Sequence, residues 1–240
     1  KVKILGTGCY LPKKQITAEA LEKSLGLKPG AAMKHCGVKV RYFVEDETAS
    51  EMGALAAKQA IKNAGIDFSE IDGVIGASSA PEQAIPSTAA LIHKKLGLSR
   101  ATTFDVNSTC LSFLTALDFA SFLLEEGRHK YLLIASSEIA SKGLDKQDVK
   151  TATLFGDGAG AVVIGRDEQG KSKILSTKFE TWSENQGACF LEGGGSKFYN
   201  ECSGKKKFFQ MDGPKLYRSI APQAKTFFKE ILSQGEIGRE

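Results

Sequence analysis

The chain has 240 residues, of which 42% are hydrophobic and 25% are charged, and this composition excludes a disordered or collagen-like protein. Thirty-two lysines and arginines against 28 aspartates and glutamates give a net charge of +4, spread along the sequence, which argues against nucleic-acid binding. No apolar run reaches the roughly 18 to 20 residues of a membrane span, and residues 1–11 do not resemble a secretory leader. We therefore predict a soluble, unexported protein that binds neither nucleic acid nor a membrane.

Strands and helices are predicted to alternate along the chain. The segments rich in β-forming residues are 2–8, 73–78, 102–106, 131–137 and 159–165. Because helical patterns separate most of these segments, their order predicts parallel strands joined by helical crossovers.

Three helices are predicted between the strands, and each ends at a glycine. They run from a capping box of Thr48 and Glu51 to Gly65, from Pro86 and Ser87 to Gly97, and from about Cys110 to Gly127. The alanine content of the first helix predicts close packing. The third helix is apolar almost all round, so we expect it to be buried between layers.

A domain boundary is predicted near residue 170, within the polar turn at 166–172, which divides the chain into segments 1–170 and 171–240. In the second segment we predict a strand at 173–178 and a helix at 214–232.

Cys110 is the strongest candidate for a catalytic residue. The sequence DVNSTC at 105–110 places its thiol directly after a strand and at the start of a helix, which Asn107, Ser108 or Thr109 can cap. The helix dipole favours the thiolate, the nucleophilic form of cysteine, whereas burial among apolar residues opposes it. On spacing alone, the alternative is a small core residue.

The remaining cysteines and the three histidines give no sign of a metal site or a disulfide framework. Five cysteines are an odd number and contain no C-x-x-C pair, which favours a reducing compartment such as the cytoplasm. The histidines lack the i, i+4 spacing of a metal-binding helix. We expect Cys9, Cys36, Cys189 and Cys202 to be structural, and His93 and His129 to be surface residues near helix ends.

Two further motifs have structural interpretations. Residues 156–161 (GDGAGA) lead into a strand, whereas a dinucleotide-binding loop opens a helix, so we predict a tight turn in which Asp157 caps backbone amides. The lysines at 205–207 are predicted to form a solvated loop, the alternative being a surface that steers an acidic partner.

Together, Cys110 and the turn at 156–161 complete a pattern that resembles the β-ketoacyl-[acyl carrier protein] synthase III family of the thiolase superfamily. The matching segments keep the family's order over essentially all of the chain: GTGCYLP at 6–12, IPS at 85–87, DVNSTC at 105–110, SSE at 136–138, FGDGAGA at 155–161 and MDG at 211–213. The resemblance implies an α/β protein with a thiolase-like layered α-β-α-β-α fold, the N-terminal half complete and the C-terminal half incomplete. It also implies a homodimer joined near residues 102–106.

The resemblance further implies the chemistry of this family. Cys110 would accept an acyl group from acyl-coenzyme A or another acyl thioester, and malonyl-[acyl carrier protein] would attack it with decarboxylation, as at the start of fatty acid biosynthesis. Coenzyme A is then part of a substrate, and no cofactor is expected. Phe155 would line the acyl pocket, Ile85 would reach into the pocket of the partner subunit, and Gly213 would lie beside the pantetheine arm.

Two departures from the family pattern qualify this interpretation. The family's catalytic histidine and asparagine match no residue here, so we expect the natural protein to continue past Glu240 and the 240 residues alone not to condense. Ala31 and His35 stand where bacterial members that use coenzyme A place an aromatic residue and an arginine, so coenzyme A binds differently or another thioester carrier supplies the primer. A related condensing enzyme with another product and a noncatalytic acyl-binding or dimerising homologue are the alternatives.

Overall fold

A computed structural model describes residues 1–198 and 203–236, so that Cys202 lies outside the described residues. The strands are β1 (Val2–Tyr10), β2 (Lys14–Thr17), β3 (Val40–Phe43), β4 (Gly73–Gly76), β5 (Thr102–Asp105), β6 (Tyr131–Glu138), β7 (Gly158–Arg166), β8 (Cys189–Phe190) and β9 (Gln210–Met211). The α-helices are α1 (Ala18–Ser24), α2 (Ala31–Cys36), α3 (Ala49–Ala64), α4 (Thr88–Leu96), α5 (Ser112–Glu125), α6 (Val149–Ala152) and α7 (Gly213–Gln234).

The chain divides into two compact units, each assembled from separate segments. The first unit comprises Lys1–Thr17, Val40–Ala140 and Gly156–Lys173. The second unit comprises Ala18–Lys39, Ser141–Phe155 and the described part of Ile174–Glu240. These units differ from the predicted segments 1–170 and 171–240, which describe the two halves of the fold, and that division stays a prediction.

The first unit is built on a five-stranded sheet with the order β1-β7-β6-β4-β5. Strand β4 pairs in parallel with β5 and β6, whereas β7 runs antiparallel to both β6 and β1. The five predicted strands are therefore confirmed, but the prediction of parallel strands is wrong for β7. A parallel neighbour needs a crossover, usually a full helix, and residues 139–157 form only one 3-10 helix, Ser141–Gly143, and the four-residue helix α6.

Helix α3 packs closely against β1, as its alanine content predicted. The Thr48–Glu51 capping box begins the helix, and Gly65 ends it in the left-handed conformation. Ala56 and Ala60 are fully buried, and β1 approaches them through glycines. A Cβ atom on Gly8 would lie only 2.1 Å from the carbonyl oxygen of Ala56, so no larger residue fits there.

Helix α5 is buried on one side only. Ala116, Ala120 and Leu124 are fully buried, whereas Leu114, Phe119 and Phe122 are 50–57% exposed. Within the described residues the sheet covers one side of the helix, and burial of the helix between two layers stays a prediction. The predicted start at Ser87 and end at Gly97 of α4 are confirmed.

The second unit contains α1, α2, α6 and α7, with β8 and β9 paired antiparallel. The predicted helix at 214–232 is confirmed as α7. The predicted strand at 173–178 is wrong, because residues 171–182 form neither a strand nor a helix. Side chains hold this segment to α7 instead: Ser176 Oγ donates to the carbonyl oxygen of Ile231, and Lys178 pairs with Glu230.

Among the described residues, no helix combines the length and the apolarity needed to cross a membrane.

Candidate active site

Cys110 lies in a 3-10 turn, Thr109–Leu111, between the end of β5 and the start of α5. Its side chain is exposed. The predicted place of this thiol, after a strand and before a helix, is confirmed. Its role as a nucleophile stays a prediction at this point.

The prediction that Asn107, Ser108 or Thr109 caps the helix is wrong for α5, whose N-cap is Leu111 and has no side-chain bond; Asn107 instead bonds a backbone amide of the 3-10 turn. Asn107 Oδ1 accepts from the backbone N–H of Thr109 at 3.0 Å. The Ser108 side chain forms no capping bond, and its own N–H donates to Ser112 Oγ at 3.0 Å. Thr109 has a φ of 52°, a left-handed conformation that is uncommon for a β-branched residue. The residue directly before Cys110 is therefore held in a strained conformation.

Asp105 fixes the end of β5 to the start of α4. Its two carboxylate oxygens accept from the backbone N–H groups of Thr88 and Ala89, each at 2.8 Å. A Cβ atom on Gly76 would lie 2.3 Å from Asp105 Oδ1, so the glycine makes room for this carboxylate. The segment that leads from β5 to Cys110 therefore begins at a fixed point.

A second carboxylate, Glu138 at the end of β6, holds the segment that follows β4. It accepts from Ser79 N at 2.5 Å and from Ser79 Oγ at 2.6 Å. The carbonyl oxygen of Ser79 in turn accepts from Asn107 Nδ2 at 3.2 Å. No role for Ser79 or Glu138 was predicted from the sequence. Their positions in the sequence could have indicated this contact, because Ser79 follows β4 and Glu138 ends β6, and the carboxyl ends of parallel strands meet at one edge of a sheet.

Ile85 lies in the connection between β4 and α4, within the same unit as Cys110. Its side chain is 85% exposed, and the peptide bond that joins it to Pro86 is cis. Gln83 Nε2 donates to its carbonyl oxygen at 2.6 Å. This exposure is compatible with a side chain that reaches into a partner subunit, which stays a prediction.

Phe155 and Gly213 belong to the second unit. The Phe155 ring packs edge-on against Phe209, with 5.2 Å between the ring centroids and 84° between the planes. Gly213 is the first residue of α7 and lines an apolar groove of about 460 Å³ together with Leu216, Tyr217, Ile220, Ala221 and Ala224. This geometry tests neither predicted role.

Helix α2 carries the two positions at which the sequence departs from the family pattern. Ala31 is its first residue, and His35 is exposed, with Nε2 3.2 Å from the carbonyl oxygen of Lys150. The buried Glu22 carboxylate holds the start of this helix, because it accepts from Gly30 N at 2.9 Å and Ala32 N at 2.8 Å.

The structure also places the histidines and lysines that the sequence analysis singled out. His93 lies in the last turn of α4 and His129 follows α5, as predicted, but both are half-buried. His129 Nε2 lies 2.9 Å from Thr102 Oγ1. The lysines at 205–207 are exposed, as predicted, but they lie in a 3-10 helix, Gly204–Lys207, and not in a loop; Lys206 Nζ lies 3.9 Å from the centroid of the Phe198 ring.

Residues 156 and 157 form no turn and lead directly into β7, so the predicted turn is wrong; Asp157 has a structural role, but toward an amide outside this segment. Asp157 is 4% exposed, and its Oδ2 accepts from the N–H of Val44 at 2.8 Å. Cys9 is exposed, whereas Cys36 and Cys189 are half-buried; a structural role for these cysteines stays a prediction. Within residues 1–198 and 203–236, no group of three or more His, Cys, Asp or Glu side chains could hold a metal ion.

Comparison with solved structures identifies the class of fold. The crystal structure of 3-oxoacyl-[acyl-carrier-protein] synthase III from Aquifex aeolicus superposes with a TM-score of 0.88 at 31% identity, covering 99% of this chain and 73% of that one. The corresponding structure from Pseudomonas aeruginosa gives a TM-score of 0.87 at 24% identity, which shows the fold alone. The described α/β architecture is thus the thiolase-like fold that the resemblance implied.

Comparison of sequences identifies the family. The family model of 3-oxoacyl-[acyl-carrier-protein (ACP)] synthase III matches residues 104–183. The β-ketoacyl-[acyl-carrier-protein] synthase III of Ehrlichia canis is 36% identical over 235 residues, which cover 98% of this chain and 72% of the relative. That of Clostridium acetobutylicum is 33% identical, covering 100% and 74%. The chain belongs to the β-ketoacyl-[acyl-carrier-protein] synthase III family of enzymes.

Proposed function

We propose that this protein is an acyltransferase that condenses an acyl thioester with malonyl-[acyl carrier protein], the reaction that starts fatty acid biosynthesis. The Cys110 thiolate attacks the acyl thioester carbonyl, and the carrier thiol leaves. Malonyl-[acyl carrier protein] then loses carbon dioxide, and the resulting enolate carbon attacks the acyl-cysteine, which releases Cys110 and a 3-oxoacyl thioester. The observation that carries the proposal is an exposed cysteine at the start of α5 in a chain of this family.

The first half-reaction needs a nucleophile and a donor for the oxyanion that forms on the acyl carbonyl. Cys110 supplies the nucleophile, from a 3-10 turn directly before α5. We assign one oxyanion donor to the backbone N–H of Cys110, because amides at a helix start point toward developing negative charge.

The second half-reaction also needs donors for the enolate, and removing one such donor typically lowers kcat by about 100-fold to 1,000-fold. None of the three histidines in residues 1–240 falls at the position of the family's histidine. Residues 1–240 therefore supply the nucleophile of the first half-reaction, and we assign no enolate donor among them.

The acyl donor and the carrier protein are the partners of this proposal. The exposed lysines at 205–207 support an acidic partner such as an acyl carrier protein. Ala31 offers no aromatic ring, and His35 lies within hydrogen-bond distance of a backbone carbonyl, which supports a donor other than coenzyme A. The two donors to be compared are an acyl group on a carrier protein and acyl-coenzyme A.

We also propose a cytoplasmic homodimer. Strand β5 is an edge strand of the sheet, and its Phe104 packs against Phe119 of α5 with 6.0 Å between ring centroids. An unpaired edge can continue the sheet into a second copy. The five cysteines are odd in number and contain no C-x-x-C pair, which supports a reducing compartment.

Incubation with an acyl thioester, followed by peptide mass analysis, tests the proposed role of Cys110. Parallel reactions with acyl-coenzyme A and with an acyl carrier protein compare the donors. We expect an acyl group on the peptide that contains Cys110, its loss in Cys110→Ala, and its retention in Cys9→Ala, which removes another exposed cysteine. An unmodified Cys110 with both donors would contradict the proposal and favour a noncatalytic acyl-binding homologue.

A further inference from the structure

The residue before Cys110 has a conformation that its own side chain disfavours. Thr109 has a φ of 52°, in the left-handed region where glycine is at ease and β-branched residues are rare. Such a conformation persists only where surrounding groups fix it. The groups that fix Thr109 therefore also fix the peptide that leads into Cys110.

Both backbone groups of Thr109 are held by side chains. Its N–H donates to Asn107 Oδ1 at 3.0 Å, and its carbonyl oxygen accepts from Ser112 Oγ at 2.6 Å. Ser112 is 2% exposed, so it provides a fixed point on the buried side of the turn. Asn107, by contrast, is exposed and needs support of its own.

That support comes from the two neighbouring strands. Asn107 Nδ2 donates to the carbonyl oxygen of Ser79, which follows β4. Ser79 is held through both its N–H and its hydroxyl by the Glu138 carboxylate at the end of β6, and bonds to an ionised carboxylate are stronger than neutral ones. One continuous chain of hydrogen bonds thus runs from β6 through Ser79 and Asn107 to Thr109.

We propose that Asn107 is a positioning residue for the nucleophile, anchored by Ser79 and Glu138. This inference rests on the proposed function of Cys110. Asn107 acts through Thr109: it holds the left-handed turn, and the turn sets where the Cys110 thiol stands at the start of α5. If Thr109 relaxes to its preferred conformation, the peptide that joins it to Cys110 rotates and carries the thiol away from that position.

Replacement of Asn107 and Thr109, singly and together, tests this inference. Alkylation by iodoacetamide, followed on the Cys110 peptide by mass analysis, reports the reactivity of the thiol without any acyl substrate. The peptide that contains Cys9 is an internal standard. We expect Asn107→Ala to slow alkylation of Cys110 about tenfold, the size expected for loss of one hydrogen bond, with Cys9 unchanged.

Glycine at position 109 should rescue the loss, because glycine adopts a positive φ without help from Asn107. We expect Thr109→Gly alone to react within about twofold of the wild type, and the double variant to recover to within about threefold. A purely structural role for Asn107 would not produce this rescue. Circular dichroism confirms that each variant is folded.

Two outcomes overturn the inference: an alkylation rate in Asn107→Ala within about twofold of the wild type, or a double variant as slow as Asn107→Ala. If Asn107→Ala does not fold, Glu138→Ala replaces it, since it removes both bonds that hold Ser79, and an unchanged rate there also overturns the inference. The readout is independent of acyl transfer. If acyl thioesters do not acylate wild-type Cys110, but the variants change its alkylation rate as expected, the proposed function is refuted and the positioning role of Asn107 stands.

Discussion

A glycine in β1 sets the distance between the sheet and α3. A Cβ atom at position 8 would lie 2.1 Å from the carbonyl oxygen of Ala56, a backbone atom that cannot rotate away. We expect Gly8→Ala to lower the free energy of unfolding by about 3 kcal/mol, at the upper end of the usual range for overpacking. Urea unfolding followed by circular dichroism measures the change.

Gly160 provides the matched control, because it pairs with Cys9 across β1 and β7 and a Cβ atom there would meet no atom within 4 Å. We expect Gly160→Ala to leave the free energy of unfolding unchanged or to raise it by up to about 1 kcal/mol. Equal destabilisation by both substitutions would show that close approach at Gly8 is not the cause.

At the scale of residues, the sequence predicted the place of Cys110 but not the network around it. A thiol after a strand and before a glycine-terminated helix is a local pattern, so it is visible in the sequence. The choice of Asn107 over Ser108 as the residue that bonds the turn depends on Ser79 and Glu138, which come from other strands. Such long-range partners leave no mark on local spacing.

At the scale of elements, the capping box of α3 gives the molecule a defined response to acid. The backbone N–H of Thr48 donates to Glu51, and Lys95 pairs with the same carboxylate; both lower the pKa of Glu51 below its ordinary value of 4.5. The ionised form is thus favoured in the folded chain. Its contribution to stability is present above pH 4.5 and is lost as the pH falls through the lowered value.

The variant Glu51→Gln tests this response. We expect it to be less stable than the wild type at pH 7, and the difference to shrink as the pH falls below 4.5. Thermal unfolding across this pH range measures the difference, and Glu184→Gln, at an exposed glutamate, serves as the control. A difference that stayed constant down to the lowest pH would contradict the assigned role of the ionised carboxylate.

The sequence predicted those elements whose boundaries are set locally. Helix α3 begins at the capping box of Thr48 and Glu51, and helices α3 and α4 end at Gly65 and Gly97. These signals depend only on residues close in sequence, and the structure confirms both helices. The predicted direction of β7 was wrong because the direction of a strand depends on the strands beside it, here β1 and β6, and these are not visible in the sequence of β7 itself. The burial of α5 between layers stays a prediction, because the apolar periodicity of a helix does not reveal what covers each of its sides.

At the scale of the whole molecule, the open edge of β5 makes the proposed dimer testable without disturbing the sheet. The N–H groups of Thr102 and Val106 donate to the carbonyl oxygens of Asp72 and Gly76. Because successive residues of a strand point their N–H groups to opposite sides, the N–H of Thr103 faces away from β4. Proline is tolerated at such edge positions.

We expect Thr103→Pro to convert the dimer to a monomer, because it removes a donor from the edge that pairs with the second copy. Thr103→Val keeps the donor and should remain dimeric. Light scattering coupled to size-exclusion chromatography measures the mass of each. A wild-type chain that is monomeric, or a proline variant that stays dimeric, would argue against an interface formed by β5.

The two ends of the five-stranded sheet differ in which connections they carry, because β7 runs in the opposite direction to β6 and β1. Since β7 runs against its neighbours, its first residue, Gly158, pairs with Glu138, the last residue of β6, at the end of the sheet where β5 leads into Cys110. Residues 126–130, which join α5 to β6, lie at the other end, eight residues along β6 and about 25 Å away at roughly 3.3 Å per residue. A reporter or an affinity tag inserted in that turn would leave the chemistry around the thiol untouched, which makes it the natural site for labelling this protein.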